Sequence, residues 1–480
     1  MTGREPGAMV MALLATGAMA LAASPARPAA TAGVGGTAGP APAMTVSAPI
    51  LAGAASRPIT PDLGPTAAPV HLAGGAEGRI ATGVRDELSA RALVLEAGGG
   101  AVAIVVLDLY GLAGDDVERI RASIRGRAPA MPLTGILVAC TRTHSAPDAT
   151  GQFTPPGVGV DSVWLEQVVR AAGDAVEEAW RARQPARLSF AVAHLPRLLS
   201  DARQPPRYDD EATLVRIERS EGKVGIATLA FFSGSPESLG RRGRVVSADY
   251  PGEARRALED AFGGPALLIV GASGGLMVPV PPVAGAPEEP PVAVGRALAR
   301  SLQVAWSGRA ESRQGLPADV TSGSIAFRAA PAIVPVENTA LRESMATGRR
   351  RGRLDDAGRM ASEVALVTLA SGGGPVMEIA CLPGAIYPEL VNGGIQEPQD
   401  TAADRPGEAR ETPVKSIMHG PIRLVAGACG DDLGDIIPAS EWDEKPPFAY
   451  GLKAAQRGEE SSPGPRTAAT LLKALADLMR

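Results

Sequence analysis

The chain has 480 residues, 45% of them hydrophobic and 21% charged, so it can bury a sizeable core, and its length alone would allow about two to three domains. With 47 basic residues against 52 acidic ones, the formal net charge is −5, which argues against a polyanion-binding surface and so against nucleic acid as a partner.

The first 26 residues read as a secretory signal. Arg4 supplies a modest positive region, and the apolar stretch 8–23 is too short for a comfortable membrane span. An uncleaved anchor is the alternative. No Cys follows the stretch to carry a lipid, and no later segment reaches the length of a membrane-spanning helix. The expected location is therefore secreted or periplasmic, with no stable membrane span after cleavage. Residues 27–65 are mostly Ala, Pro, Gly and Thr, which bury too little to offset their ordering entropy, so this segment is expected to be a flexible linker before a domain spanning 66–480.

From about Val70 the pattern alternates. Strands are expected at 90–96 and 101–109, a helix at 115–125, a strand at 134–140 and a long helix at 161–183. Strands follow at 186–194, 212–218 and 224–232, then a helix at 251–262, a strand at 266–271 and a helix at 292–306. The remainder mixes strands (324–328, 363–370, 376–382, 422–428) with loops and closes on an amphipathic helix from 467 to 480, with Leu471, Leu472, Leu475 and Leu478 on one face. This order implies an α/β domain with a mixed sheet flanked by helices.

Cys140, Cys381 and Cys429 each end an apolar strand-like run. They are expected to be small buried core residues; if a bridge exists, Cys381 with Cys429 is the pair. The basic run Arg349, Arg350, Arg351 and Arg353 is followed at once by Asp355 and Asp356, as in a solvated loop. His71, His194 and His419 sit where an imidazole is usually structural or solvated.

The chemistry should lie where the run 134–139 stops at CTRTHSAPDATG, residues 140–151, since buried strands of α/β enzymes open into a crevice at their C-terminal ends. A second run, 226–232, ends in SGSPESLG and leads to VVSADYPGEARRALED, residues 245–260. These two segments, with GVRDELSARALVLE (83–96), DDEATLVRIE (209–218), LPGAIYPEL (382–390) and GDDLGDIIP (430–438), resemble the neutral, non-lysosomal ceramidase family over most of the chain. The family writes the first segment as THTHSGP and the second as a strand ending in His-Pro before SADYPG. The C-terminal immunoglobulin-like domain of many members is expected to be absent here.

The resemblance implies a zinc amidase that hydrolyses the N-acyl bond of ceramide. Its metal ligands come from a His of THTHSGP, the His of His-Pro, the Glu of Pro-Gly-Glu and a Tyr after Gly. A catalytic zinc needs about three firm protein ligands and an open position for water. Matched residue by residue, this chain has Arg142 in place of one histidine and keeps His144; Ser235 precedes Pro236, Ala385 follows Gly384, and Asp435 follows Gly434. The family's nucleophile turn corresponds to 274–279 with apolar side chains; Ser273 lies beside it with no evident base. One imidazole cannot hold zinc alone, so no metal is expected. His144, Asp435 and Glu237 together offer one nitrogen and two carboxylates, but Arg142 among them would repel a cation.

The resulting expectation is that Arg142, His144, Ser235, Ala385 and Asp435 share one crevice, with Arg142 replacing the metal's charge and paired to Asp435. Asp249 either caps the helix that follows it or faces the same crevice. Functionally, the chain is expected to be an exported ceramidase-like protein that has lost zinc-dependent amide hydrolysis and binds a lipid-like ligand or a partner. The alternative is an active hydrolase of a lipid amide or ester with a rearranged site, which would bring zinc back as a cofactor.

Overall fold

Apolar runs at Gly100–Leu107, Gly135–Cys140 and Ala266–Val270 are buried at every position, as strands are when their sheet is covered on both faces. They belong to a sheet of eight strands. Its order is Ala266–Val270, Gly225–Phe232, Glu211–Arg219, Gln184–His194, Leu51–Pro58, Ser89–Ala97, Gly100–Leu107 and Gly135–Cys140. The first and last pairs are parallel and the rest antiparallel, so the sheet is mixed. The computed structural model describes residues 47–127, 131–275, 277–282, 287–309, 315–395, 404 and 409–480, all within one compact unit. The signal-like segment 8–23 lies outside these residues.

A second sheet of five strands runs Ala48–Pro49, Ser322–Pro335, Arg359–Ser371, Gly374–Cys381 and Ile422–Ala426. The two sheets pack face to face. Leu93, Leu95, Val102 and Ile104 of the large sheet share a buried cluster with Ile325, Val367, Ile379 and Leu424 of the small one. Alternate residues point the other way: Ala92 and Val94 meet the helices Gly114–Gly126 and Ser162–Arg181. Asp249–Phe262 and Pro290–Gly308 cover the other end of that face, and Thr467–Met479 lies on the outer face of the small sheet with Leu471, Leu472, Leu475 and Leu478 buried. The result is four layers, helix on sheet on sheet on helix. No helix among the described residues is long and apolar enough to cross a membrane.

Three expectations need correction. The segment expected to be a linker to residue 65 contains a central strand, Leu51–Pro58, hydrogen-bonded between Ser89–Ala97 and Gln184–His194. Its small side chains are a packing requirement. A Cβ on Gly53 would lie 2.2 Å from the carbonyl oxygen of Ala179, so the helix Ser162–Arg181 can approach only because the strand is nearly bare there. Secondly, Cys381 and Cys429 form a disulfide while Cys140 is free and buried. Thirdly, the arginine run is anchored: Arg350 is 3% exposed and donates to the Asp432 carbonyl at 2.7 Å, Arg351 pairs with Asp116, and Arg349 pairs with Glu77 at 2.6 Å.

Candidate functional site

The strands Gly135–Cys140, Gly225–Phe232 and Ala266–Val270 of one sheet and Gly374–Cys381 and Ile422–Ala426 of the other end close together. Cross-links between the sheets mark the junction: Cys140 N–H donates to Ala428 O, Gly430 N–H to Val138 O, and Gly427 N–H to Val270 O, at 2.9, 2.8 and 3.0 Å. The polar loops after these strands surround a cavity of about 210 Å³. Arg142, His144, Ser235, Ser273, Ala385 and Asp435 all line it, together with Tyr110 and Arg241. These positions therefore share one cavity. Ala385 and Asp435 are brought together by backbone register, since they are direct partners in a short parallel pairing.

Arg142 is held in the left-handed region at φ 62°, a conformation that costs a non-glycine residue about 1–3 kcal/mol and must be enforced by its surroundings. Its guanidinium, 4% exposed as a residue, donates to Asp432 Oδ1 at 3.1 Å and to the Tyr110 hydroxyl at 3.0 Å, and lies 4.4 Å from the Tyr110 ring centre. Burial disfavours the charge, but Tyr110, Asp432 and Asp435 outweigh it and hold Arg142 protonated, above its ordinary value. The partner of Arg142 is thus Asp432, not Asp435. Asp435 instead accepts a hydrogen bond from Ser461, and burial raises its pKa against the pull of Arg142.

His144 is fixed on several sides. Its ring meets Tyr110 edge-on at 5.1 Å between centres, and Gly74, at φ 72°, lies so close that a Cβ there would fall 2.5 Å from the imidazole. Arg79 donates to the His144 carbonyl at 2.6 Å, and the His144 N–H donates to Pro236 O at 3.0 Å. Nε2 lies 3.4 Å from Ser235 Oγ. Nδ1 is buried, has no hydrogen-bond partner among the described residues and faces Glu237 Oε1 at 3.7 Å. Burial pushes the Glu237 carboxyl up, but His144, Arg241 and Arg79 outweigh it and hold it below the usual range.

Other expected residues fall elsewhere. Asp249 does not line the cavity. Fully buried, it accepts from Ser238 Oγ and Tyr250 N–H at 2.6 Å and from Leu239 N–H at 3.2 Å, so it ties the loop carrying Ser235 and Glu237 to the start of a helix. His194 is solvated beside Asp210, and His71 lines a separate cavity. Met277 is buried, and Leu276 lies outside the described residues. Tyr110 and Asp432 escaped sequence reasoning. The only signal was Asp431-Asp432 inside the segment that supplied Asp435. Among the described residues, no group of three or more His, Cys, Asp or Glu is placed to hold a metal ion.

One wall of the cavity, Arg457–Ser461, is clamped from behind by Arg203, which donates to Arg457 O and Glu459 Oε2 at 2.7 and 2.9 Å. Beside this clamp Glu389 is pushed up to about 8, first by burial and then by Glu441 and Asp201. A carboxyl bound more tightly to its proton in the folded state stabilises the fold below its unfolded pKa and loses that contribution as the pH rises through 8. Glu389→Gln is therefore expected to match the wild type near pH 4 and exceed it by about 2–5 kcal/mol near pH 9. Thermal melts at the two pH values check this, and a difference independent of pH would contradict it.

No protein-family model and no curated protein matches the chain. Among solved structures it is similar to a neutral ceramidase from Pseudomonas aeruginosa, with a TM-score of 0.66 and 15% identity over 90% of this chain and 74% of that one. A ceramidase complexed with C2 gives 0.64 and 15% over 90% and 75%. At this identity the likeness establishes the fold: the chain has a neutral-ceramidase-like α/β architecture.

Proposed function

We propose that this chain is an exported protein of ceramidase fold that has lost zinc-dependent amide hydrolysis and uses the crevice around Arg142 to bind a lipid-like ligand through a polar group. The observation that carries this reading is the buried guanidinium of Arg142, paired with Asp432 on the cavity wall where the resemblance implies a histidine. The donor set does not fit the zinc of that family. His144 is the one imidazole among the lining residues, Asp435 is turned to Ser461, and Ser235 and Ala385 stand at the other ligand positions. A cation fixed among them opposes a second one. Placing a divalent ion beside Arg142 would restore the charge repulsion that Asp432 now relieves.

Export is supported by the short apolar stretch near the N-terminus and by the Cys381–Cys429 bridge, which persists in oxidising compartments. The experiment is metal analysis of protein purified without chelator, with a ceramide hydrolysis assay on the same sample. The expected result is zinc far below the roughly one equivalent a resident site would hold, and no chelator-sensitive turnover. About one equivalent of zinc, lost in His144→Ala together with ceramide hydrolysis, would overturn the reading. Intact mass of the same preparation tests export, since an uncleaved Met1 on the membrane-bound product contradicts it.

A further inference from the structure

We propose that Ser235, His144 and Glu237 form a nucleophile–base–acid relay, making this crevice a metal-independent acyl-transfer site for esters with short acyl groups. The inference rests on the reading that the crevice is not a zinc site.

The three side chains are arranged as such a relay requires. Ser235 Oγ is 3.4 Å from His144 Nε2, and the opposite ring nitrogen faces Glu237 at 3.7 Å. Ser235 is 2% exposed, and His144 and Glu237 are each 8% exposed, so the electrostatics operate in a water-poor environment. Both contacts are longer than a formed hydrogen bond, as is common before substrate closes a site. A proton on Nδ1 answers the carboxylate of Glu237 and leaves the Nε2 lone pair directed at the serine, which is the tautomer a general base needs.

Placement does not depend on side chains alone. The His144 N–H is bonded to Pro236 O, between Ser235 and Glu237, and the Ser235 N–H is bonded to Met277 O at 2.7 Å. The backbone therefore locks the loop bearing the base to the loop bearing nucleophile and acid. Glu237 acts through the imidazole that it faces, and is a positioning residue. Arg142 lines the same cavity, and a guanidinium fixed there favours an oxyanion that forms within its reach. The cavity volume of about 210 Å³ admits a short acyl group and leaves a long chain outside.

The steps balance. Ser235 Oγ attacks the ester carbonyl carbon while its proton passes to His144 Nε2. The bond to the alcohol oxygen breaks, and that oxygen takes the proton from Nε2. Water then attacks the acyl-serine, giving its proton to Nε2, which returns one to Ser235 as the carboxylic acid leaves.

The test uses the full-length protein in excess chelator, a fluorophosphonate probe and p-nitrophenyl acetate. One phosphonyl adduct is expected, located on Ser235 by peptide mass spectrometry. Ester hydrolysis should fall by about 1,000-fold in Ser235→Ala and His144→Ala. Glu237→Gln should lower kcat by about ten-fold or more with KM little changed, and Glu237→Asp should recover part of it. Adduct mapping on the wild type keeps the test valid even if a variant folds poorly. Absence of an adduct on Ser235 in folded protein, or undiminished hydrolysis in folded Ser235→Ala, overturns the proposal. If the protein is also free of zinc, only the relay fails; about one equivalent of zinc would sink the non-zinc reading as well.

Discussion

Asp108→Ala is expected to destabilise the protein by about 3–5 kcal/mol, the cost of leaving a buried charge without its partner. Asp108 follows the strand Gly100–Leu107 and is fully buried. Its carboxylate accepts two bonds from Arg255, at 2.6 and 2.8 Å, and two from the N–H and hydroxyl of Ser89, each 2.8 Å. Arg255 lies on the helix Asp249–Phe262 and is itself 2% exposed, so removing the carboxylate strands a guanidinium in the interior. Burial raises the Asp108 carboxyl, yet Arg255, Arg91 and Ser89 outweigh it and hold the pKa below its ordinary value. A depressed folded-state pKa stabilises at neutral pH, and that contribution disappears only as the pH falls through the lowered value. Asp108→Ala should therefore lose most at neutral pH and converge on the wild type in acid. Urea unfolding at two pH values checks it, and a loss below about 1 kcal/mol at pH 7 would show that the pair contributes little. Since Tyr110 lies two residues beyond Asp108, the variant should also loosen the wall on which Arg142 rests.

How much was legible in the sequence follows from the same physics. The runs at Gly100–Leu107, Gly135–Cys140 and Ala266–Val270 announce themselves because strands covered on both faces are continuously apolar. The strand Leu51–Pro58 was hidden because its composition, LAGAASRP, serves equally for a tether and for a strand against which a helix must pack closely. The lining of the crevice could be read one position at a time from the strand-end motifs. Which residues within it touch could not. Ser235 and His144 are 91 positions apart, and their contact depends on a loop-to-loop backbone bond with no sequence signature. Similarly, Asp431, Asp432 and Asp435 lie within five residues, and the resemblance pointed to Asp435 as the partner of Arg142. The pairing of Asp435–Ile436 with Ala385–Ile386 turns Asp435 toward Ser461 and leaves Asp432 to the arginine.

That distinction gives the second large effect. Arg142→Met is expected to cost about 3–5 kcal/mol, because it leaves Asp432 charged and buried. The Asp432 side chain is 2% exposed; among the described residues its Oδ1 would keep only the Gly434 N–H at 3.1 Å, and its Oδ2 has no partner even now. Adding Asp432→Asn to Arg142→Met removes the stranded charge and should recover about 2 kcal/mol of the loss, a coupling typical of residues in direct contact. Adding Asp435→Asn instead should recover less than half as much, because Asp435 reaches Arg142 only through space while its carboxylate is bonded to Ser461. Double-mutant cycles from urea unfolding measure both couplings. Equal recovery from the two would mean that the arginine serves the whole acidic cluster as a diffuse counter-charge. A larger recovery with Asp435→Asn would restore the pairing expected from the sequence and refute the Arg142–Asp432 pair. The predicted inequality is what ties the cation to one wall of the crevice, leaving the space beside Ser235 and His144 open to a ligand.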